Sequence, residues 1–247
     1  MLEVRSLSKE FHGVRAIDDV SFDVAVNSIT SLIGPNGAGK TTLINMVTGV
    51  MPPTGGSITL SGQPLTGRKP HQIAGLGVRR TFQTVRLFSG LSVRENLLIG
   101  RMNDLMARSM RSLFLPMKLG DAEGRWRADE VLEMLGLAHL ADEIAIDLPY
   151  GTQRRVEIAR VLMGRPSLAL LDEPAAGMNE QETEQLVHDV RRIRDEGITV
   201  FLVEHDMSMV MSVSDKIVVL NFGRKISEGT PAQVQRDPEV IKSYLGE

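Results

Sequence analysis

The sequence of 247 residues contains no cysteine, which excludes disulfide bonds and cysteine-rich metal sites and is compatible with a reducing compartment. No apolar run approaches the roughly 18 residues of a membrane-spanning helix, and residues 1–7 have neither a basic lead nor an apolar signal core. An excess of one charge is also lacking, since 28 basic and 31 acidic residues give a net charge of −3. We therefore expect a cytosolic protein without a nucleic-acid partner, which could work at a membrane only by docking on another chain.

The stretch 33–42 is rich in glycine and carries the clearest chemical signal in the chain. From Gly34 to Thr41 it has the spacing of a phosphate-binding loop: glycine, four residues, glycine, lysine and a hydroxyl residue. Glycines let backbone N–H groups crowd around a polyphosphate, the lysine reaches the β- and γ-phosphates, and the hydroxyl holds Mg²⁺. An apolar run before the loop and a helical pattern after it aim a helix N-terminus at the phosphates. The predicted nucleotide-binding residues are Gly34, Pro35, Asn36, Gly37, Ala38, Gly39, Lys40, Thr41 and Thr42.

Two further apolar runs, at 168–171 and 198–203, predict strands that are buried on both faces of a parallel sheet. Polar residues follow each run, and the carboxyl ends of parallel strands share the edge at which ligands bind. Asp172 is therefore predicted to hold Mg²⁺, directly or through water, and Glu173 to orient or deprotonate an attacking water. His205 can donate to the γ-phosphate and so sense its presence. Each residue alone could belong to a turn or a strand cap, but together behind a phosphate loop they favour a nucleotide-hydrolysing site.

The rest of the chain predicts a sheet and a helical lobe around this site. Alternating apolar residues over 1–30 predict an antiparallel sheet, from which Phe11 could stack on adenine or turn into the core, with neither favoured. Helical periodicity then predicts a lobe inserted into an α/β core. Basic residues and methionines at 101–127 favour a solvated face over a docking surface, and Trp126 is predicted to anchor this stretch. The predicted parts of one domain spanning 1–247 are an α/β core at 1–83 and 166–230, a helical lobe at 84–165 and a C-terminal helix at 231–247.

In the order and spacing of these motifs, the whole chain resembles the ATP-binding cassette (ABC) ATPases. The phosphate loop matches their Walker A motif, and 168–173 matches the Walker B strand with its catalytic glutamate. Gln83 matches the glutamine that joins the two lobes, 148–155 the signature motif, and His205 the switch histidine. The resemblance implies a P-loop NTPase fold of the α/β class, with a RecA-like core, an N-terminal antiparallel β subdomain and an inserted α-helical subdomain.

The same resemblance implies ATP and Mg²⁺ as cofactors and a site shared by two chains. In such proteins ATP lies between two cassettes, with the Walker A loop of one facing the signature of the other. Gln83 is then expected to act in catalysis and at Mg²⁺. Gly151, Thr152 and Gln153 are expected to bind the nucleotide of a second ATPase subunit, in a homodimer or a heterodimer.

Within the family, the chain is most similar to the ATPases of branched-chain amino acid importers, the LivG type. The likeness rests on 80–88, the long insertion at 101–127, the residues around the signature, and the ending 244–247. It implies transmembrane permease subunits as partners, seated near 83–88, and a periplasmic solute-binding protein as an indirect partner. It also implies a peripheral position on the cytoplasmic face of the inner membrane. The alternative is the ATPase of lipopolysaccharide export, which shares the ending but has a shorter helical lobe.

Other nucleotide-hydrolysing classes fit less well. A GTPase would show an Asn-Lys-x-Asp tetrapeptide for guanine, and none occurs. A chromosome-maintenance ATPase would need long heptad arms, for which the segment between Walker A and the signature is too short and too broken by glycine and proline. Soluble translation ATPases usually fuse two cassettes, whereas this chain has a single Walker A motif.

Several residues depart from the family pattern. Pro149 replaces the signature serine that normally gives a hydroxyl to the partner's γ-phosphate, and Tyr150 and Thr152 stand where glycine and glutamine are commoner. Asn179 stands where the loop after Walker B usually carries aspartate. Because Gly151 remains, backbone N–H groups can still face a phosphate. These changes favour a heterodimer in which the site built on this chain's Walker A loop hydrolyses faster than the site built on its signature.

Overall fold

A computed structural model of the chain describes residues 1–82, 84–101 and 121–245. Gln83 and most of the insertion at 101–127 therefore lie outside the described residues. The described ranges contain ten strands and nine α-helices. The strands are β1 (Leu2–Phe11), β2 (Val14–Val24), β3 (Ile29–Ile33), β4 (Gly55–Leu60), β5 (Gln63–Pro64), β6 (Val78–Arg80), β7 (Leu168–Asp172), β8 (Thr199–Val203), β9 (Lys216–Asn221) and β10 (Arg224–Gly229). The helices are α1 (Lys40–Val47), α2 (Pro70–Gly75), α3 (Val93–Ile99), α4 (Ala122–Met134), α5 (Tyr150–Leu162), α6 (Glu180–Asp195), α7 (Met207–Val213), α8 (Pro231–Gln235) and α9 (Pro238–Leu245).

The strands form two sheets. A four-stranded antiparallel sheet has the order β2-β1-β4-β5, and a six-stranded sheet has the order β10-β9-β3-β8-β7-β6. In the larger sheet β9, β3, β8, β7 and β6 run parallel, and β10 pairs antiparallel with β9. The predicted N-terminal antiparallel sheet and the predicted parallel strands at 168–171 and 198–203 are confirmed. The sequence pattern predicts neither β6 nor β10, because neither contains a run of apolar residues.

The central strands of the larger sheet are buried on both faces. Alternate residues of β7 face opposite sides: Leu168 and Leu170 pack in the core that the antiparallel sheet and α1 share. Ala169 and Leu171 pack in the core that contains the helical lobe and α6. Burial on both sides explains why such strands read as continuous apolar runs, and it places the sheet between two halves of the hydrophobic core.

Helices α3, α4 and α5 pack together as the helical lobe. One face of α4 is buried through Gly124, Ala128, Val131 and Leu132, which follow the spacing of an amphipathic helix. Trp126 lies on the other face and is 60% exposed, so the prediction that it anchors this stretch to the lobe is wrong. Within the described ranges, no helix is both long enough and apolar enough to cross a membrane.

The C-terminal segment differs from the single helix predicted over 231–247. The first helix, α8, follows Thr230 and ends at Gln235. Pro238 then opens α9, because proline cannot supply the N–H of a continuing helix and disfavours helical backbone at the residue before it. The Asp237 carboxylate accepts a hydrogen bond of 2.9 Å from a backbone N–H of α9. The boundaries predicted for the core and the helical lobe remain predictions.

The two sheets meet at an aromatic pair. The rings of Phe22 in β2 and Phe201 in β8 are buried and stacked, with centroids 5.6 Å apart. We expect Phe201→Ala to lower the free energy of unfolding by about 3–5 kcal/mol, because it leaves a cavity between the sheets. Urea unfolding followed by circular dichroism measures this change. The control is Phe222→Ala, at a ring that is 86% exposed, for which we expect a change below about 0.5 kcal/mol; equal values for the two variants would contradict the prediction.

Candidate functional site

The phosphate-binding loop connects β3 to α1, as the sequence predicts. Gly34, Gly37 and Gly39 have φ angles of 153°, 80° and 103°. A Cβ at Gly34 would collide with the carbonyl oxygen of Leu220, and one at Gly39 would lie 2.7 Å from the carbonyl oxygen of Ala16. These two positions require glycine, because the loop packs directly against β9 and β2. The loop ends at the N-terminus of α1, whose first-turn N–H groups suit an anion.

Lys40 is buried and lies over the loop. Its Nζ donates to the carbonyl oxygens of Gly34 at 2.6 Å and Pro35 at 3.2 Å. Burial lowers the pKa of Lys40, and the charges of Glu173 and Asp172 oppose that shift. The ammonium group is therefore close enough to interact with both carboxylates, as the convergence of strand ends predicts.

The oxygen atoms at this edge suit Mg²⁺. The exposed Thr41 hydroxyl on α1 and the Asp172 carboxylate on β7 are hard oxygen donors of the kind that this ion prefers. In the part of the chain that the structure describes, no group of three or more His, Cys, Asp or Glu residues could hold a metal by itself. The donor set fits a Mg²⁺ ion that takes its other ligands from phosphates and water.

Asp172 also forms an ion pair that the sequence does not predict. Its Oδ2 lies 2.7 Å from Nη2 of Arg80, and both side chains are largely buried. Arg80 Nη1 donates to Asn45 Oδ1 at 2.8 Å. The Asp172 carboxylate is thus held between β7 and the edge strand β6. Since β6 has no apolar run, nothing in the local sequence indicates that Arg80 would reach the site.

Glu173 and His205 approach each other where β7 and β8 end. His205 Nδ1 is 3.9 Å from Glu173 Oε2, and the His205 side chain is 59% exposed. Glu173 has a φ of 45°, in the left-handed region that is uncommon for residues with a Cβ. Its N–H donates to the carbonyl oxygen of Val203 at 2.8 Å, which ties the residue to β8. The structure brings the two side chains together, and their roles remain predictions.

Glu204 is a buried acidic residue to which the sequence assigns no role. Its Oε1 accepts from the N–H of Ala175 at 2.8 Å, and its Oε2 accepts from the N–H groups of His205 at 2.9 Å and Asp206 at 3.3 Å. Burial raises the pKa of Glu204, although these hydrogen bonds oppose the shift. Glu204 therefore joins the loop after β7 to the loop after β8. The signal in the sequence is an acidic residue directly after a fully buried strand, where it needs partners.

The signature segment begins α5 and packs against the start of α6. A Cβ at Gly151 would lie 2.5 Å from Glu182 Oε1, so a larger residue here would displace the Glu182 side chain. The first-turn N–H groups of Gly151 and Thr152 have no carbonyl acceptor within their own helix, as an anion-binding role needs. The Gln153 side chain donates instead to two backbone carbonyls of the preceding segment, at 2.9 and 2.8 Å. The backbone N–H of Gln153 donates to the carbonyl oxygen of Pro149 at 3.0 Å. Both the backbone N–H and the side-chain amide of Gln153 are therefore engaged within its own chain.

Two departures from the family pattern have local structural effects. Pro149 stands at the N-cap of α5 and gives the helix no side-chain hydrogen bond. Asn179 caps α6, since its Oδ1 accepts from the N–H of Glu182 at 2.9 Å. Asparagine and aspartate serve equally well in such a cap, which explains how the exchange at Asn179 is tolerated.

Phe11 lies at the end of β1 and is 39% exposed, which excludes the alternative that it belongs to the core. Lys9 Nζ lies 5.1 Å from the centroid of its ring. Phe11 pairs with Val14 at the start of β2, the strand that packs against the phosphate loop further along, at Ala16. Stacking on adenine stays a prediction, as do the roles of Gln83, which lies outside the described residues.

The chain is similar to known proteins over its full length. Residues 17–176 match the family described as "ABC transporter", and residues 224–247 match "Branched-chain amino acid ATP-binding cassette transporter". The chain is 45% identical to the high-affinity branched-chain amino acid transport ATP-binding protein BraF of Pseudomonas aeruginosa, covering 100% of this chain and 98% of that protein. It is 44% identical to LivG of Escherichia coli, a protein of the same description, with the same coverage.

Solved structures agree with this similarity. A nucleotide-free ATP-binding cassette from an ABC transporter has a TM-score of 0.88 and 33% identity, covering 100% of this chain and 99% of that one. An ATP-binding cassette in its ADP conformation matches with the same TM-score, identity and coverage. With its phosphate-binding loop, the buried strand that ends at Asp172, and His205 around one sheet edge, this chain belongs to the ABC transporter ATPases, in the group of branched-chain amino acid transport ATP-binding proteins.

Proposed function

We propose that this chain hydrolyses ATP to power an importer of branched-chain amino acids in the inner membrane. The observation that carries the proposal is the convergence of Lys40, Asp172, Glu173 and His205 at one edge of the sheet. The similarity over the full length to BraF and LivG supports the solute class. The alternative of a lipopolysaccharide exporter has no comparable support from these relatives.

The geometry supports the following mechanism. N–H groups of the phosphate loop and the Lys40 ammonium hold the β- and γ-phosphates, while Thr41 and Asp172 would hold Mg²⁺. Bound Mg²⁺ would neutralise phosphate charge during transfer. Glu173 orients the attacking water and accepts its proton as the bond from the γ-phosphorus to the bridging oxygen breaks and ADP leaves. His205, beside Glu173, donates a hydrogen bond to the γ-phosphate.

The site needs a second subunit. In the proposed assembly, the N-terminus of α5 at Gly151 and Thr152 faces a nucleotide held by another cassette, and the partner's signature completes the site on Lys40. Because Pro149 lacks the hydroxyl of the usual serine, the site that uses this chain's signature loses a hydrogen bond of about 1.5–3 kcal/mol. We infer a heterodimer whose two sites differ in hydrolysis rate.

The proposed permease contact lies around 83–88. Phe82 precedes this segment and Phe88 ends it, and their side chains are 48% and 47% exposed. Arg86 stands over the Phe82 ring at 5.5 Å, and Arg160 of α5 stands over the Phe88 ring at 6.0 Å. Exposed aromatic rings with arginines beside them are frequent anchors in protein interfaces. This arrangement supports a contact with the permease subunits. From the similarity to BraF and LivG we infer a peripheral position on the cytoplasmic face of the membrane, with a periplasmic solute-binding protein as an indirect partner.

Separate variants of the site distinguish binding from chemistry. We expect Glu173→Gln to bind ATP but to lower hydrolysis by about 10²–10⁴-fold, since it removes the general base. We expect Lys40→Ala to lose ATP binding itself, because nothing replaces its charge. Phosphate release and equilibrium ATP binding measure the two effects, and uptake of labelled leucine by the reconstituted transporter measures coupling. The control is Glu196→Gln at an exposed carboxylate, and full hydrolysis by Glu173→Gln would disprove the mechanism.

The inequality of the two sites has its own test. Glu173→Gln in this chain and the matching change in the second ATPase subunit should cause unequal losses of hydrolysis in the assembled transporter, because only one site contains the altered signature. Phosphate release from each singly substituted complex measures the difference. Equal losses, or assembly as a homodimer, would refute it.

The permease contact is tested by co-purification. We expect Phe88→Ala to weaken binding to the permease subunits by about tenfold, since it removes an exposed aromatic anchor, while ATP binding is retained. The matched control is Ile241→Ala, at a side chain that is 46% exposed on α9. Unchanged binding by Phe88→Ala would place the permease elsewhere.

A further inference from the structure

Arg154 is a fully buried arginine on the signature helix α5, three residues after Gly151. Its side chain and that of Glu157, one helical turn further on, are both 0% exposed, and Arg154 Nη1 lies 2.8 Å from Glu157 Oε2. Burying a charge pair is expensive, and an apolar pair of similar volume often gives equal or greater stability. Stability alone therefore does not account for this pair, and the other contacts of Arg154 are informative.

Those contacts go to the backbone where β7 ends and the loop that carries Glu173 begins. Arg154 Nη2 donates to the carbonyl oxygen of Glu173 at 2.8 Å and approaches that of Asp172 at 3.5 Å. Its Nε donates to the carbonyl oxygen of Pro174 at 3.3 Å. One guanidinium thus binds three consecutive peptide carbonyls at the carboxyl end of β7. Arginine suits this arrangement because its planar group carries five N–H donors in fixed directions.

The same guanidinium also reaches the segment that joins the two lobes. Arg154 Nη1 donates to the carbonyl oxygen of Phe82 at 2.6 Å. Phe82 directly precedes Gln83, the residue that is predicted to act at Mg²⁺. One side chain on the signature helix therefore contacts the backbone at Glu173 and also at Phe82, the residue before Gln83.

Glu173 needs such support because its backbone is in an unfavourable conformation. A φ of 45° for a residue with a Cβ persists only where the surroundings hold it. The N–H of Glu173 is held by Val203 at 2.8 Å, and its carbonyl oxygen by Arg154 at 2.8 Å. These two hydrogen bonds hold the peptide groups on both sides of the residue that carries the carboxylate.

The next residue, Arg155, makes a different set of contacts. Arg155 Nε lies 2.6 Å from Oδ2 of the buried Asp189 on α6, and Arg155 also donates to the carbonyl oxygen of Leu135. These partners lie in α6 and at the end of α4, away from the loop that carries Glu173. The two neighbouring arginines can therefore be compared, because each is bound to a buried carboxylate. Among the described residues, only Arg154 of the two is seen to contact the loop that carries Glu173.

We propose that Arg154 is a positioning residue for ATP hydrolysis, which holds the Glu173 backbone in its productive conformation and couples it to the signature helix. The proposal rests on the proposed role of Glu173. A shift of α5 when the signature meets the partner's nucleotide would move the guanidinium, and with it the peptide groups on both sides of Glu173. The signature and the catalytic glutamate of one chain, which belong to different composite sites, are thereby linked.

The test compares Arg154→Lys with Arg155→Lys in the full chain, assembled with the second ATPase subunit and the permease subunits. Lysine keeps the charge but cannot donate to several carbonyls in a fixed plane, so we expect Arg154→Lys to lower kcat for phosphate release by about tenfold to a hundredfold. Affinity for ADP, which depends on the Walker A loop, should be retained. Amide hydrogen exchange at 172–176 should become faster in Arg154→Lys and stay unchanged in Arg155→Lys, which should keep most of its kcat. Thermal unfolding of both variants reports the general loss of stability.

Two further variants keep the outcomes separable. Glu157→Gln retains an oxygen acceptor for Arg154 and should lower kcat in the same direction but less, which tests the pair even if Arg154→Lys folds poorly. Equal losses of kcat in Arg154→Lys and Arg155→Lys, or a parallel loss of ADP affinity, would overturn the positioning role. If Glu173→Gln hydrolyses ATP normally, the proposed function itself fails; if it does not, while the two lysine variants behave alike, only the role of Arg154 fails.

Discussion

Complete burial of three parallel strands is the constraint on which the rest of the structure depends. Every residue of β3, β7 and β8 is buried, with the antiparallel sheet on one side and the helical lobe on the other. A charged group inside such a strand would lose its hydration without compensation, so charged residues occur where the strands end. Because the strands are parallel, those ends share one edge. Lys40, Glu173 and His205 therefore meet there, with Asp172 closing β7.

Crowding these charges at a partly buried edge requires polar partners from elsewhere in the chain. Arg80 balances Asp172 from the edge strand, Glu204 binds three backbone N–H groups of the adjoining loops, and Arg154 binds carbonyl oxygens of the loop at Glu173. Within a low-dielectric interior, a polar network of this kind stabilises one geometry when its members are bonded and is costly when one is lost. It also supports a backbone conformation at Glu173 that local preferences disfavour.

Two successive turns of the signature helix α5 face different parts of the proposed assembly. Its first turn at Gly151 is suited to a phosphate of another cassette, while its second turn, at Arg154, contacts this chain's own catalytic loop. Pro149, in place of the signature serine, offers no hydroxyl to a phosphate at the first turn. It does not alter the contacts of Arg154 at the second turn. In the proposed assembly the loss therefore concerns the nucleotide of the partner, while the contacts from Arg154 to the backbone at Glu173 remain.

The sequence by itself determined the phosphate loop, the positions of the buried strands along the chain, and the acidic and histidine residues at their ends, because these depend on local spacing and on the avoidance of buried charge. It also predicted the helical lobe, but not the exposure of Trp126, which depends on the face of α4 that packs inward. The predicted C-terminal helix is divided into α8 and α9, because Pro238 cannot continue a helix that begins before it. The contacts of Arg80, Arg154 and Glu204 were decided only by the tertiary structure. Each has a partner on a distant segment: Asp172 is 92 residues from Arg80, Phe82 is 72 from Arg154, and Ala175 is 29 from Glu204. No local pattern specifies which distant carbonyl, N–H or carboxylate a buried charge will meet.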